Sequence, residues 1–301
     1  MKIIIDEFIE NLEQRQASQN TLASYKRDLI QFNDYFEAQG KKIFDLTKDD
    51  MKEYVNHLIA EGKSNSTISR SAASVKSLYR YLVGKKLAEV NIATDVELPK
   101  VSRKEPMILT DSEIEKLLEQ PDTSELKGQR DKTMLEILYA TGIRVTELIS
   151  LRTEDVNLTN GFIKVKKKNS ERHIPLGKLA LKCLKEYMEN VRPLLIRSED
   201  EKTLFINTNG QKMTRQGYWK ILKQYKDQAK IDKEITPHTI RHSFAVHMLE
   251  NGAEVKTVQE LLGHTDVAST MLYTQIAHMG TKDEYMKTHP RADELLSLIH
   301  I

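Results

Sequence analysis

Cysteine is almost missing from this sequence: Cys183 is alone among 301 residues. That excludes an intrachain disulfide and any metal cage built from several thiolates, and it fits a reducing compartment. Cys183 itself is expected as a buried helix residue. Long apolar runs are missing too. No stretch approaches the roughly 18 apolar residues that a membrane span requires. Asp6, Glu7 and Glu10 interrupt the N-terminal segment, so neither insertion nor secretion is indicated and a cytoplasmic location is expected. Charge of one sign is scarce, because 46 Lys and Arg face 44 Asp and Glu; the total of +2 gives no argument for a nucleic-acid partner. With 12 glycines and 7 prolines, a collagen-like or low-complexity chain is ruled out. What is present, 39% apolar and 30% charged residues, is globular composition, and the length suffices for two domains with separate cores.

Apolar residues recur at helical spacing through the first ninety or so positions. They run through Leu22, Tyr25, Leu29, Phe32 and Phe36, then Met51, Tyr54, Val55, Leu58 and Ile59, then Ile68, Val75, Leu78, Tyr79 and Leu82. Gly40, Gly62 and Gly84 separate these stretches, and Thr47 with Asp50 forms a capping box for the second. The spacing predicts an all-α domain over 1–98. Residues 99–107, with prolines at Pro99 and Pro106 and no periodic apolar face, read as an extended linker. The second domain, 108–301, opens with a capping box at Thr110 and Glu113. It is expected to be mostly helical with a small antiparallel sheet: a hairpin of Phe162 to Val165 with Arg172 to Leu176, and a third strand at Leu204 to Ile206. Overall the fold class is mainly α in two domains, a helical bundle followed by a mixed α+β domain.

Charge is clustered even though its total is small. Lys164, Lys166, Lys167, Lys168, Arg172, Lys178 and Lys182 stand against the single acid Glu171, and a second run holds Lys212, Arg215, Lys220, Lys223, Lys226 and Lys230. Most such runs are solvated faces. Thr236-Pro237 starts a helix with an N-cap hydroxyl and a proline at the first position, which puts His238 and Arg241 on one face near a positive helix end. The ordinary account of that pair is an exposed first turn. His238 and His242 also share zinc-binding spacing, but Thr239 replaces the glutamate of the metalloprotease pattern and no third ligand follows. His247, His278 and His289 carry no motif and are expected as structural or surface residues. His264 follows the Gly263 helix stop, where a histidine is usually a cap, and Tyr273 lies beside Met271 and Leu272, where a tyrosine is usually core. Arg144, just after Thr141-Gly142, stands at the start of another helix.

The order of these pieces resembles the tyrosine recombinase family, most of all its Xer type. Ser18 to Leu29 is similar to the opening of the family's SAM-like helical core-binding domain. Thr141 to Leu148, His238 to Phe244, Leu261 to His264 and Tyr273 match the catalytic motifs in sequence order. The resemblance implies an active site of Arg144, His238, Arg241, His264 and the nucleophile Tyr273, together with a lysine of the hairpin turn. Alignment back from Glu171-Arg172 selects Lys167; counting forward from Arg144 selects Lys168. It also implies double-stranded DNA with a specific site as partner, a homo- or hetero-tetramer on two DNA sites with the apolar tail from Arg291 to Ile301 packed into a neighbour, and, for some members, a DNA translocase; that tail is equally consistent with an intramolecular helix. Resolution of chromosome or plasmid dimers is the leading expectation, with a phage or mobile-element integrase as the alternative inside the family. A metal-dependent phosphodiesterase using His238 and His242, and a non-catalytic DNA-binding module, are the readings outside it.

The implied reaction is attack by the tyrosine oxygen on a phosphodiester, giving a 3′-phosphotyrosyl enzyme and a free 5′-hydroxyl. Ionising a phenol of pKa ~10 at pH 7 costs about 4 kcal/mol, and a unit charge ~4 Å away at an effective dielectric of ~20 contributes a comparable amount. Arginine and lysine can therefore supply the charge, and neither metal, ATP nor another cofactor is expected. The departing oxygen needs a proton, which a hairpin lysine can provide. His238 is expected as proton acceptor and His264 as donor to a non-bridging oxygen, two roles that the sequence alone does not separate.

Overall fold

A computed structural model of the chain describes residues 2–100, 105–167, 170–198, 200–264 and 270–274, apart from the side chains of Lys2 and Lys167. The chain divides into two compact units, Met1–Lys104 and Glu105–Ile301. Among the described residues no helix is long and apolar enough to cross a membrane.

The first unit is a helical bundle of α1 (Lys2–Gln14), α2 (Gln19–Glu37), α3 (Lys48–Ala60) and α4 (Asn65–Gly84). Hydroxyls start three of them: Ser18 accepts from the Thr21 N–H, Ser64 from Thr67, and Thr47 exchanges bonds with Asp50 in a complete capping box. Most of the apolar positions read at helical spacing meet in one core, where Leu29, Phe32, Phe36, Met51 and Val75 are essentially inaccessible to water, whereas Ile59 is exposed on α3. Helix α1 adds Ile5 and Phe8 to it. Asp28 is buried on α2, where Arg70 of α4 grips both its oxygens, Nε at 2.8 Å and Nη2 at 2.9 Å.

In the second unit α5 (Asp111–Glu119) begins at the Thr110–Glu113 capping box and packs on α6 (Leu126–Thr141). Helix α6 is buried on nearly all sides, by α5, α8 (Lys178–Glu186) and α11 (Pro237–Glu250), and so shows no apolar stripe. Even Arg130 and Asp131 on it are buried, satisfied by each other, by the Ile206 carbonyl and by the Tyr225 hydroxyl. A short α7 (Val145–Leu148) follows, then β1 (Val156–Asn157), β2 (Phe162–Lys167) and β3 (Ser170–Pro175). After α8 a single π-turn at Tyr187–Val191 leads into α9 (Arg192–Leu195). Helices α10 (Arg215–Gln228) and α12 (Val255–Leu262) complete the labelled elements, and residues 270–274 are helical. Cys183 is half-buried on α8.

The sheet runs β1-β2-β3, all antiparallel, with Ile163 opposite Ile174 and Lys167 opposite Ser170. The hairpin stands where the alternation placed it. The third strand does not: it is Val156–Asn157, on the other side of β2. Leu204 to Ile206 spend their backbone groups differently, with the Leu204 N–H on the Leu151 carbonyl at 2.8 Å, and the Asn207–Gly210 turn folds the following chain back so that Met213 N–H reaches the Phe205 carbonyl at 3.1 Å. Helix α11 clamps the chain near the start of this unit. Ser243 Oγ accepts from the Leu109 N–H at 2.8 Å, and His247 Nε2 donates to the Leu109 carbonyl at 2.9 Å while its Nδ1 lies 2.9 Å from the Tyr139 hydroxyl and 3.2 Å from Asp111 Oδ1. His247 is thus structural.

Helix α6 ends at Gly142, which adopts φ +58°. A Cβ at this position would overlap the Phe244 ring and the Leu262 side chain. Gly142→Ala therefore combines left-handed strain of about 1–3 kcal/mol with a displaced aromatic ring. Calorimetry is expected to show the second unit melting several degrees lower, at about 2–4 °C per kcal/mol; an unchanged melting temperature would contradict the role given to this turn.

Candidate active site

Arg241 is 3% exposed while His238, at the start of the same helix, is exposed, so the exposed first turn expected of α11 holds for His238 and fails for Arg241. The helix is buried along most of its length because α6 and α12 cover it from two directions. The buried guanidinium keeps its charge by finding acceptors: Nη1 donates to the Gly142 carbonyl at 2.6 Å, and Nη2 donates to the Leu262 carbonyl at 2.8 Å and to His264 Nε2 at 2.9 Å. Both carbonyls lie at helix C-termini, where the partial negative charge favours a cation. Burial, and then the neighbouring Arg144, bring its pKa down to about 10, which leaves it protonated at pH 7. Of its five N–H donors, one on Nη1 and the one on Nε have no partner among the described residues.

The Arg241 bond fixes the tautomer of His264. A guanidinium can only donate, so Nε2 is the acceptor and the ring proton sits on Nδ1, which donates to Thr270 Oγ1 at 2.9 Å. The ring is neutral, its pKa pushed down to about 4 by burial first and then by Arg241 and Arg144. Both ring nitrogens are engaged. Donation from His264 to a phosphate oxygen therefore requires either that Nδ1 leave Thr270 or that the ring give up Arg241 and carry its proton on Nε2. Gly263, at φ +63°, turns the chain between Leu262 and His264, and the Arg172 guanidinium occupies the space where a Cβ would project.

Tyr273 is 4% exposed and lies one helical turn beyond Thr270. Its hydroxyl is 2.8 Å from His242 Nδ1, and its ring stacks at 6.2 Å from that of His264. Burial raises its pKa, while Arg241 and Arg144 pull the other way. His242 has its pKa lowered to about 4 by burial, then by His238 and Arg241. His238 stands one turn back on α11, its ring 6.3 Å from that of His242. Its pKa is lowered by burial and then by Arg241, Arg215 and Arg144, so its electrostatic neighbours are the cations of the site. Beside it opens a cavity of about 410 Å³ lined by Val145, Arg215, Trp219, Thr236 and Pro237.

Arg144 starts α7 with its N–H on Glu147 Oε2 at 2.7 Å and keeps a partly exposed guanidinium, 38% accessible. Glu147 is also gripped by Arg172 of β3, Nη1 to Oε1 at 3.0 Å and Nη2 to Oε2 at 2.9 Å, and the Arg172 Nε donates to the Leu261 carbonyl. One arginine thus ties the hairpin to α7 and to the end of α12. Lys167 closes β2 opposite Ser170. Its side chain, all of Lys168, His278, His289 and the segment from Arg291 to Ile301 lie outside the described residues.

Five of the six expected residues, Arg144, His238, Arg241, His264 and Tyr273, thus lie in one electrostatically connected cluster. Sequence reasoning passed over three others. In the sequence His242 offers only zinc-ligand spacing, and its partner Tyr273 lies 31 positions away. Thr270 had a signal in its spacing of three from Tyr273, and Arg172 in being an arginine inside a short strand. Among the described residues no group of three or more His, Cys, Asp or Glu is placed to hold a metal ion. The basic side chains of α10, with Arg215, Lys220 and Lys223 exposed, continue the positive charge beyond the cavity.

Comparison with known proteins gives this cluster its class. Residues 107–279 match the model of the phage integrase family, and residues 5–86 match that of the phage integrase N-terminal SAM-like domain. The tyrosine recombinase XerD of Staphylococcus epidermidis is 42% identical over 295 residues, which is 97% of this chain and 100% of that protein; XerD of Staphylococcus aureus is 40% identical with the same coverage. The fold is also that of the XerH site-specific recombinase bound to palindromic difH substrate, with a TM-score of 0.74 at 24% identity over 90% of this chain and 81% of that one. The Tn1549 transposon integrase in complex with transposon right end DNA has a TM-score of 0.75 at 19% identity, over 93% and 98%. The chain belongs to the phage integrase family, as a site-specific tyrosine recombinase of the Xer type.

Glu147 gives the site a pH-dependent brace. Burial acts to raise its pKa, but the Arg172 fork, the Arg144 N–H and both arginine charges outweigh it and hold the carboxyl below its ordinary value of 4.5. A folded-state pKa below the unfolded one contributes stability that is complete above the unfolded value and is lost as pH falls through the folded one. Glu147→Gln is expected to cost on the order of 3 kcal/mol by leaving Arg172 without its counter-charge. Urea denaturation followed from neutral pH to acid should show a lower plateau and a shallower acid decline in the variant, and superimposable curves would contradict the brace.

Proposed function

We propose that Tyr273 attacks a DNA phosphodiester held by Arg144 and Arg241, forming a 3′-phosphotyrosyl bond and releasing a 5′-hydroxyl. The observation that carries this reading is the cluster itself: a buried phenol under the influence of two guanidinium groups, one of them anchored with N–H donors to spare. Fixed cations favour the phenolate and the charge that develops on phosphorus, and they need no reorganisation when it appears. Arg144 is the more exposed cation and closes on the phosphate from the other side. His238, among the same cations, is suited to donate to a non-bridging oxygen, and His264 holds Arg241 in its orientation. Lys167, at the tip of the hairpin, delivers the proton that the departing 5′-oxygen requires. The phosphotyrosyl bond preserves the energy of the broken ester, so a second 5′-hydroxyl can displace the tyrosine and rejoin the strand.

Likeness over nearly full length to tyrosine recombinases named XerD supports resolution of chromosome or plasmid dimers in the cytoplasm as the task of this chemistry. The partner is double-stranded DNA carrying a specific site, and strand exchange between two such sites calls for four protomers, homo- or heteromeric, with a DNA translocase as a further partner. The exposed lysines and arginines of α10 supply phosphate contacts, so affinity falls steeply with salt. The helical unit 1–98 is assigned to DNA binding, 99–107 to the linker and 108–301 to catalysis.

Incubating the wild-type protein with fragmented DNA of its source organism should yield detergent-resistant protein–DNA adducts whose recovered sequences converge on one site. Tyr273→Phe should yield none while still shifting DNA in a gel, and EDTA should leave adduct formation unchanged. Adducts formed by the Phe variant, or wild-type cleavage abolished by EDTA and restored by zinc, would contradict the mechanism.

A further inference from the structure

Attack by Tyr273 requires its hydroxyl proton to go somewhere, and among the described residues the group within hydrogen-bond reach of that hydroxyl is His242, at 2.8 Å from Nδ1. We propose that His242 receives the Tyr273 proton as the phosphotyrosyl bond forms and returns it when the strand is rejoined. This rests on the reading of Tyr273 as nucleophile and assigns to His242 the part that the sequence suggested for His238.

Three observations support the assignment. The first is distance: a general base has to stand about 2.6–3.2 Å from the proton-bearing atom, and His242 does so before any DNA is bound. The second is rigidity. His242 follows Arg241 directly on α11, and Arg241 is fixed to the carbonyls at the ends of two other helices. The phosphate anchor and the proton acceptor are thus consecutive residues of one buried helix, which sets the tyrosine oxygen against the phosphate it attacks. The third is charge. His238 and Arg241 on α11, Tyr273 on 270–274 and His264 after α12 surround the ring, and burial with the nearby positive groups keeps it unprotonated at neutral pH, so it is an available acceptor. A phosphodiester anion seated on the arginines offsets the same positive charge and raises the ring's affinity for a proton at the moment one is released.

The step balances. With the neutral ring carrying its proton on Nε2, the Tyr273 O–H bond breaks and its proton passes to Nδ1, giving an imidazolium. The oxygen lone pair forms the O–P bond, the P–O5′ bond breaks, and O5′ takes a proton from the hairpin lysine. Rejoining reverses each transfer: the incoming 5′-hydroxyl returns its proton to the lysine, and Nδ1 returns the other to the phenolate oxygen.

The test uses the full-length protein and nicked duplexes carrying the sequence recovered by covalent capture, made with either oxygen or sulfur at the bridging 5′ position. A thiolate leaves without needing a proton, so sulfur rescues a defect on the leaving-group side and not one at the nucleophile. Single-turnover cleavage by His242→Ala is expected to fall by ~100-fold or more on both substrates, in the range typical of a lost general base. His242→Asn keeps a hydrogen-bonding group near the Nδ1 position but takes up no proton at neutral pH, and should be nearly as slow. Gel shifts and melting temperatures confirm that each variant binds DNA and is folded. Wild-type rates in the Ala variant, full rescue by sulfur, or full rescue by Asn would each overturn the proposal. A wild-type protein that forms no adduct through Tyr273 would instead remove the nucleophile reading beneath it.

Discussion

The site depends on the fact that Arg241 carries a full charge into a space closed to water. A buried guanidinium is tolerated only if its donors meet acceptors, and here the acceptors are the last carbonyls of α12 and of the turn ending α6, together with one imidazole. Helix C-termini are negative ends, so the two helices lend partial charge as well as lone pairs. Each is brought to the arginine by a left-handed glycine, Gly142 after α6 and Gly263 after α12, which lets the chain turn where side chains crowd it. The catalytic unit is in this sense folded around one cation.

Other features follow from that anchor. His264 becomes a neutral acceptor because Arg241 can only donate to it. Its own N–H then fixes Thr270, and Tyr273 is carried one helical turn farther along. Glu147 and Arg172 extend the same logic outward by tying the hairpin, whose tip holds Lys167, to the helix that starts at Arg144. The result is a set of cations and neutral imidazoles positioned before substrate arrives. Phosphoryl transfer asks for this above all, since there the protein contributes placement and electrostatic stabilisation.

Much of this could be read from the sequence because the relevant signals are local. Thr47 with Asp50, Thr110 with Glu113 and Thr236-Pro237 mark helix starts by chemistry that needs no distant partner, and the β2–β3 hairpin follows from alternation across a polar turn. The order of Arg144, His238, Arg241, His264 and Tyr273 carried the class of enzyme. What stayed hidden depends on tertiary partners. Helix α11 is covered on several sides, so its pattern gives no apolar stripe and Arg241 reads as exposed. His242 meets Tyr273 across 31 positions, and Arg172 meets Leu261 across 89, separations that no local pattern encodes. The segment from Leu204 to Ile206 has strand composition, but its backbone groups are taken up by Leu151 and by its own turn.

Arg241 imposes a neutral, Nδ1-protonated state on His264, and the order of the site rests on that state. Nitrogen-15 spectra of the histidine-labelled protein, with His264 assigned by substitution, read protonation and tautomer directly. At pH 6 His264 should give one protonated nitrogen, Nδ1, and one bare nitrogen, Nε2, with titration only near pH 4. An imidazolium at pH 6, or a neutral ring with its proton on Nε2, would contradict the account.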